Sequence, residues 1–167
     1  MTLKIILAGP DGVGKTTLGE RLAEELGYTF VTGNSYKTKN KLDRARGLAG
    51  LDNAVFDRFF FPDHLVYSKV KNQQVDRAEY SEWISLSEDL AQDNTIILYI
   101  DAPDNALRGR LERRGDDYIE WGEIDAIREA YEDLFRDIEI PIIRLESLDG
   151  FEYRLGDCRG RERVIDD

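Results

Sequence analysis

Short apolar runs alternate with longer mixed segments along this 167-residue chain. The runs are typical of buried strands and cover residues 3–8, 29–32, 53–57, 95–100 and 141–145. Helices are predicted between and around them, at 18–26, 39–49, 63–72, 77–92, 103–114 and 121–138. The alternation predicts an α/β fold: a five-stranded parallel sheet covered by helices on both faces, in one domain that spans residues 1–167.

The loop after the first strand carries a phosphate-binding motif. Residues 9–17 read Gly-Pro-Asp-Gly-Val-Gly-Lys-Thr-Thr and fit the pattern G-x-x-x-x-G-K-[ST]. Glycines let the backbone N–H groups approach a phosphate, and the following helix directs the positive end of its dipole at the same anion. The strand, loop and helix together predict a nucleotide-binding P-loop whose binding residues are Gly9, Asp11, Gly12, Val13, Gly14, Lys15, Thr16 and Thr17.

Two side chains of this loop have predicted roles in catalysis. Lys15 is expected to bring a positive charge to the β- and γ-phosphates of ATP, and the hydroxyl of Thr16 is expected to bind Mg²⁺. The sequence therefore predicts ATP and Mg²⁺ as the cofactors.

Composition narrows the classes of partner. A net charge of −11 disfavours binding to a nucleic-acid polymer, although a local basic pocket can still hold a small anion. No apolar run approaches the ~20 residues that span a bilayer, so no membrane partner is expected. The single cysteine, Cys158, fits a reducing cytoplasm. Residues 156–167 are expected to form a polar C-terminal tail.

Charged residues follow two of the predicted strands. Asp57 and Arg58 end the third strand, and Asp101 ends the fourth. Ligands of parallel sheets collect at the carboxyl ends of strands, so Asp57 is predicted to contact metal or acceptor and Arg58 a second phosphate group. For Asp101 and Asp104, capping of the next helix is favoured over a role in the site.

Four arginines occur within residues 108–114, in an otherwise acidic chain. Arg110 and Arg114 are four positions apart and share one helical face. They form either a solvated face paired with nearby acids or a cationic cluster for the transferring phosphoryl group. The second interpretation predicts an arginine-bearing lid over about 108–120.

Three segments, spread over residues 3–145, resemble the thymidylate kinase and deoxynucleoside kinase branch of P-loop phosphotransferases. They are the P-loop with an acid at its third position, the Asp57-Arg58-Phe59 segment with Tyr67 downstream, and the strand that leads through Asp101-Ala102-Pro103 to the arginines. The resemblance implies a three-layer αβα sandwich. It also implies that Asp11 reaches the sugar 3′-hydroxyl and that Arg58 holds the 5′-monophosphate of the acceptor.

Deoxynucleoside kinases carry a carboxylate just after the second strand, as base toward the 5′-hydroxyl, whereas residues 31–37 contain no acid here. A monophosphate is already anionic and needs no such base, which favours phosphorylation of a thymidylate-like deoxynucleoside monophosphate to the diphosphate. Because Asp57 could act as base, a deoxynucleoside kinase is the alternative, and a nucleotide-binding switch is a weaker one.

The remaining expectations concern the acceptor base and the oligomer. One or more of the aromatic residues Phe59, Phe60, Phe61 and Tyr67 would stack on the base. Asn40-Lys41-Leu42-Asp43 spells the guanine-reading motif of GTPases, but it lies too soon after the P-loop and is attributed to chance. A homodimer is left open.

Overall fold

The central sheet has six strands in the order β2-β3-β1-β4-β5-β6. The structure is a computed structural model that describes residues 2–10, 12–32, 39–114, 121–147 and 153–155. Its strands are β1 (Lys4–Ala8), β2 (Thr29–Val31), β3 (Ala54–Phe56), β4 (Thr95–Asp101), β5 (Ile142–Ser147) and β6 (Tyr153–Leu155). The first five are parallel, as predicted, whereas β6 is antiparallel to β5 and was not predicted.

In the described ranges, six α-helices connect or follow the strands, and their bounds agree with the predicted segments to within a few residues. They are α1 (Lys15–Leu26), α2 (Lys41–Ala49), α3 (Phe60–Val70), α4 (Arg77–Gln92), α5 (Asp104–Arg114) and α6 (Ile124–Phe135). A 3-10 turn at Trp121–Glu123 precedes α6, so the segment predicted as one helix over 121–138 is divided. None of the described helices is long and apolar enough to cross a bilayer.

Strand order determines which loops meet at the site. β1 lies between β3 and β4, with Ile6 opposite Phe56 on one side and Ile97 on the other. All residues of β1 are buried, which its nearly continuous apolar sequence requires of a central parallel strand. The P-loop after β1 is therefore flanked by Asp57 after β3 and by Asp101 at the end of β4.

The core continues from the sheet into a layer formed by α3 and α6. Tyr131 and Phe135 of α6 pack edge-on against Tyr99 of β4, with ring centroids 5.3 Å apart in both pairs. Ile124, Ile127 and Leu134 of α6 are buried in the same core. This packing fixes α6 beside the carboxyl end of β4.

Candidate active site

The P-loop closes tightly over the ends of β1 and β4. Gly9 has φ +140°, and a β-carbon built there would lie 1.9 Å from the carbonyl oxygen of Ile100. No other residue fits this position without moving the backbone. Gly14 is the N-cap of α1 with φ 90°, and neither a side-chain cap nor an acidic residue covers the first turn of that helix. The positive end of α1 therefore faces the loop and can receive an anion.

Lys15 is the first residue of α1 and is only 8% exposed. Its Nζ donates hydrogen bonds to the carbonyl oxygens of Gly9 at 2.5 Å and Pro10 at 3.5 Å. The ammonium group thus lies across the loop that its own helix follows. A phosphate bound there would meet a charge that is already held in place.

Thr16 and Asp57 come together although 41 positions separate them in the chain. The Thr16 hydroxyl donates to Asp57 Oδ2 at 2.5 Å. Asp57 is 3% exposed, and its Oδ1 has no hydrogen-bond partner among the described residues. A buried carboxylate oxygen without a partner fits a Mg²⁺ ion, which binds proteins through one or two oxygens and completes its shell with phosphates and water. In the same described ranges, no cluster of three acidic, histidine or cysteine residues could hold a metal by itself.

Arg58 follows Asp57 and is exposed. Its φ of 55° is a left-handed backbone conformation that costs a residue with a β-carbon ~1–2 kcal/mol. The side chain lines a recess at the carboxyl ends of β2 and β3, and Arg44 of α2 lines the same recess. Among the described residues, neither guanidinium group forms an ion pair with a carboxylate. Arg44 carries no motif that marks it in the sequence, because only the packing of α2 brings it to this recess.

The aromatic residues after Arg58 are mostly core residues. Phe59, Phe60 and Phe61 are all buried, and the Phe59 ring packs 4.8 Å from that of Phe56. Phe61 has no exposed surface, so the predicted stacking of this ring on a base is not available in this conformation. Phe59 lies in the wall of the recess. Tyr67 is half-buried on α3.

A second buried carboxylate approaches the P-loop from α3. The Tyr131 hydroxyl donates to Asp63 Oδ1 at 2.9 Å and lies 3.4 Å from the carbonyl oxygen of Gly9. Burial raises the pKa of Tyr131 well above its ordinary value, and the adjacent Asp63 carboxylate adds to the shift. Tyr131 therefore stays neutral and links α3 and α6 to the loop. Neither residue carries a motif that the sequence analysis could have recognised.

The arginine-bearing helix reaches the P-loop through Arg110. Arg110 Nη1 donates to the carbonyl oxygen of Gly12 at 3.3 Å and to Ser147 Oγ at 3.2 Å. Arg110 thus lies beside the P-loop, whereas the lid over about 108–120 stays a prediction. For Arg114 the backbone is described but the side chain is not, and Asp11 and the lid residues 115–120 lie outside the described residues.

Asp101 and Asp104, which were predicted to cap the next helix, both pair with Arg128, and Asp104 lies in the first turn of α5. Arg128 of α6 donates through Nε to Asp101 Oδ2 at 2.9 Å and through Nη1 to Asp104 Oδ1 at 2.7 Å. Ion pairing satisfies both carboxylates, because α6 packs beside the end of β4. Asp101 therefore has a structural role beside the site. Through Arg128, the end of β4 and the first turn of α5 are linked to α6.

Fold and site together define a P-loop nucleotide-binding protein. The ATPase family associated with various cellular activities (AAA) matches residues 5–120, and the chain belongs to this family. It is 33% identical to the SPbeta prophage-derived protein YorR of Bacillus subtilis over 139 residues, which are 80% of this chain and 82% of YorR.

Solved structures support the same class. The crystal structure of YorR in complex with phosphorylated GDP has a TM-score of 0.70 and 30% identity, covering 86% of this chain and 85% of YorR. Deoxyadenosine kinase from M. mycoides with bound dATP has a TM-score of 0.56 at 18% identity, covering 89% of this chain and 93% of that enzyme. The second likeness concerns the fold alone.

Proposed function

We propose that this protein transfers the γ-phosphoryl group of ATP to a deoxynucleoside monophosphate, forming the diphosphate. The observation that carries the proposal is the recess lined by Arg58 and Arg44, next to the Thr16–Asp57 pair. Two guanidinium groups without carboxylate partners in the described chain suit a dianionic phosphate better than a neutral hydroxyl. Asp57 lines the recess and accepts a hydrogen bond from Thr16 of α1, so a donor on the P-loop and an acceptor in the recess would be neighbours.

Each residue of the site has a defined part in this transfer. Backbone N–H groups of residues 12–17 and the Lys15 ammonium hold the donor phosphates. Thr16 and Asp57 would hold Mg²⁺, which would neutralise part of the negative charge of the donor phosphates. Arg58 and Arg44 orient the acceptor phosphate, one of whose oxygens attacks the γ-phosphorus as the bond to ADP breaks. Arg110 and Arg114 stabilise the charge on the transferring group.

The acceptor base would lie beside the aromatic residues that follow Arg58. The resemblance to thymidylate kinases suggests a thymidylate-like nucleotide, with Asp11 at the 3′-hydroxyl and Phe59 and Tyr67 beside the base. Phe59 supports this because it lines the recess. A homodimer and a cytoplasmic location stay predictions.

A second candidate is a deoxynucleoside kinase. It is favoured by Asp57, whose buried Oδ1 has no partner in the described structure and could accept the proton of a 5′-hydroxyl. The segment after β2, residues 32–37, contains no carboxylate that could act as the base instead of Asp57. Asp57 would then have to serve the metal and the acceptor at once, which makes this candidate the second choice.

A substrate panel distinguishes the two candidates. The purified protein is incubated with ATP, Mg²⁺ and each common nucleoside or nucleoside monophosphate, and products are separated by ion-exchange chromatography. We expect diphosphates from one or more deoxynucleoside monophosphates and no product with the Lys15→Ala variant. Phosphorylation of free nucleosides, with monophosphates left unchanged, would assign the protein to the second candidate.

A further inference from the structure

The unpredicted strand β6 brings a tyrosine to the P-loop. Tyr153 is the first residue of β6 and lies opposite Ser147, the last residue of β5, so it stands at the carboxyl edge of the sheet. β6 is three strand spacings from β1, or about 14 Å. Even so, a β-carbon built on Gly14 would lie 3.7 Å from the Tyr153 hydroxyl oxygen. The side chain therefore reaches across the ends of β5 and β4 to the loop.

Arg110 meets the same part of the loop. Its guanidinium group donates hydrogen bonds to the carbonyl oxygen of Gly12 and to the hydroxyl of Ser147. Ser147 is 3% exposed and is paired with Tyr153 across β5 and β6. The P-loop, α5 and the β5–β6 pair thus converge at residues 12–14. These are the residues whose backbone binds the donor phosphates in the proposed function.

The Tyr153 hydroxyl lies next to the P-loop, on a ring that packs against the core. Within the described part of the chain it has no hydrogen-bond partner, whereas the ring is half-buried and packs against the core. A ring fixed by packing presents its hydroxyl with little loss of entropy on binding. We propose that Tyr153 binds the donor nucleotide and that its hydroxyl donates a hydrogen bond to the phosphate chain.

Sheet order separates this residue from the acceptor. The acceptor recess lies at the ends of β2 and β3, on one side of β1, whereas β6 lies beyond β4 and β5 on the other side. Tyr153 should therefore affect the donor and leave acceptor binding unchanged. The inference rests on the proposed nucleotide site in the P-loop but not on the identity of the acceptor.

The test measures binding of ADP with Mg²⁺ by isothermal titration calorimetry to the full-length protein. We expect Tyr153→Phe to weaken binding about tenfold, as for the loss of one hydrogen bond to a charged group, and Tyr153→Ala to weaken it at least as much. The matched control is Tyr28→Ala. Tyr28 is also half-buried and packed on the core, but it precedes β2 at the opposite edge of the sheet. Its variant should bind ADP within twofold of the wild type.

The outcomes separate this inference from the proposed function. If Tyr153→Phe binds ADP like the wild type while Lys15→Ala does not, the role of Tyr153 is wrong and the P-loop site stands. If the wild type does not bind ADP, or Lys15→Ala binds it equally well, both proposals fail. Tyr153→Phe preserves the ring, so it decides the question even if Tyr153→Ala does not fold. An equal loss of acceptor affinity in Tyr153→Phe would also overturn the assignment to the donor.

Discussion

Replacing Arg58 with glycine should stabilise the protein and impair its activity at the same time. Arg58 has φ 55°, is exposed and has no carboxylate partner in the described structure, so no ion pair there offsets the cost of its backbone conformation. Glycine removes the ~1–2 kcal/mol cost of the left-handed conformation but adds ~0.5–1 kcal/mol through its freedom in the unfolded chain. The two effects together should raise the free energy of unfolding by roughly 0.5–1 kcal/mol, which corresponds to an increase of about 1–4 °C in Tm for a chain of this size.

The effect on catalysis should be much larger and opposite in sign. Loss of a charge-assisted contact to the acceptor phosphate costs ~2–4 kcal/mol, which corresponds to a decrease of roughly 30- to 1000-fold in kcat/KM for the monophosphate. Arg58→Ala should show the same loss without the gain in Tm, because alanine retains the unfavourable φ. Thermal unfolding by circular dichroism and a coupled assay of ADP formation measure the two effects.

Asn72→Gly is the matched control, since Asn72 is another exposed residue with a left-handed φ, of 53°, in the turn after α3. Asn72→Gly should also raise Tm, but by less, because asparagine tolerates the left-handed conformation better than arginine does. It should leave the activity unchanged. A lower Tm for Arg58→Gly would mean that the side chain stabilises the fold, and the strain argument would be refuted. Unchanged kcat/KM would show that Arg58 does not hold the acceptor.

Three further predictions concern the other cations of the site. Lys15→Ala should lower the rate of phosphoryl transfer at least ~10³-fold in single-turnover assays while circular dichroism shows an intact fold. Arg110→Ala and Arg114→Ala should each lower kcat by ~10²-fold or more, beyond any effect on ATP binding measured by calorimetry. Arg44→Ala should raise the KM for the monophosphate about tenfold, whereas Arg46→Ala, on the same helix but 3.8 Å from Asp43, should leave it within twofold.

Each of these has a clear contrary result. Turnover of Lys15→Ala within tenfold of the wild type would place the phosphate site elsewhere. Full kcat in both lid variants would mean that the arginines form only a solvated charged face. Equal effects of the Arg44 and Arg46 variants would point to the general charge of α2 and not to a contact with the acceptor.

Local patterns of the sequence were sufficient for most of the secondary structure and for the P-loop. The apolar runs predict all five parallel strands, because a strand buried on both faces must be nearly continuous in apolar residues. The glycines and Lys15 are recognisable because a single short segment holds the phosphates. The approach of Asp57 to Thr16 followed from the rule that parallel strands bring their carboxyl ends to one edge.

Local sequence patterns could not identify the residues that reach the site through the packing of helices. Arg44, Asp63 and Arg128 lie on helices and carry no motif, and their positions depend on how each helix rotates against the sheet. For Phe61 the sequence suggested a role in the site that the structure does not support. Its place near Asp57 and Arg58 suggested a contact with the base, but its side chain is fully buried in the core.

The sequence by itself determined the class of fold and the phosphate-binding loop, because both depend on contacts or periodicity within a few consecutive residues. Only the tertiary structure decided which distant residues lie together. Arg44 and Arg58 line the same recess, and Asp101 is paired with Arg128. The Tyr153 hydroxyl lies beside Gly14. These pairings connect residues that are 14 to 139 positions apart in chain order. They arise from the order of strands and the packing of side chains over the whole core, which no local pattern records.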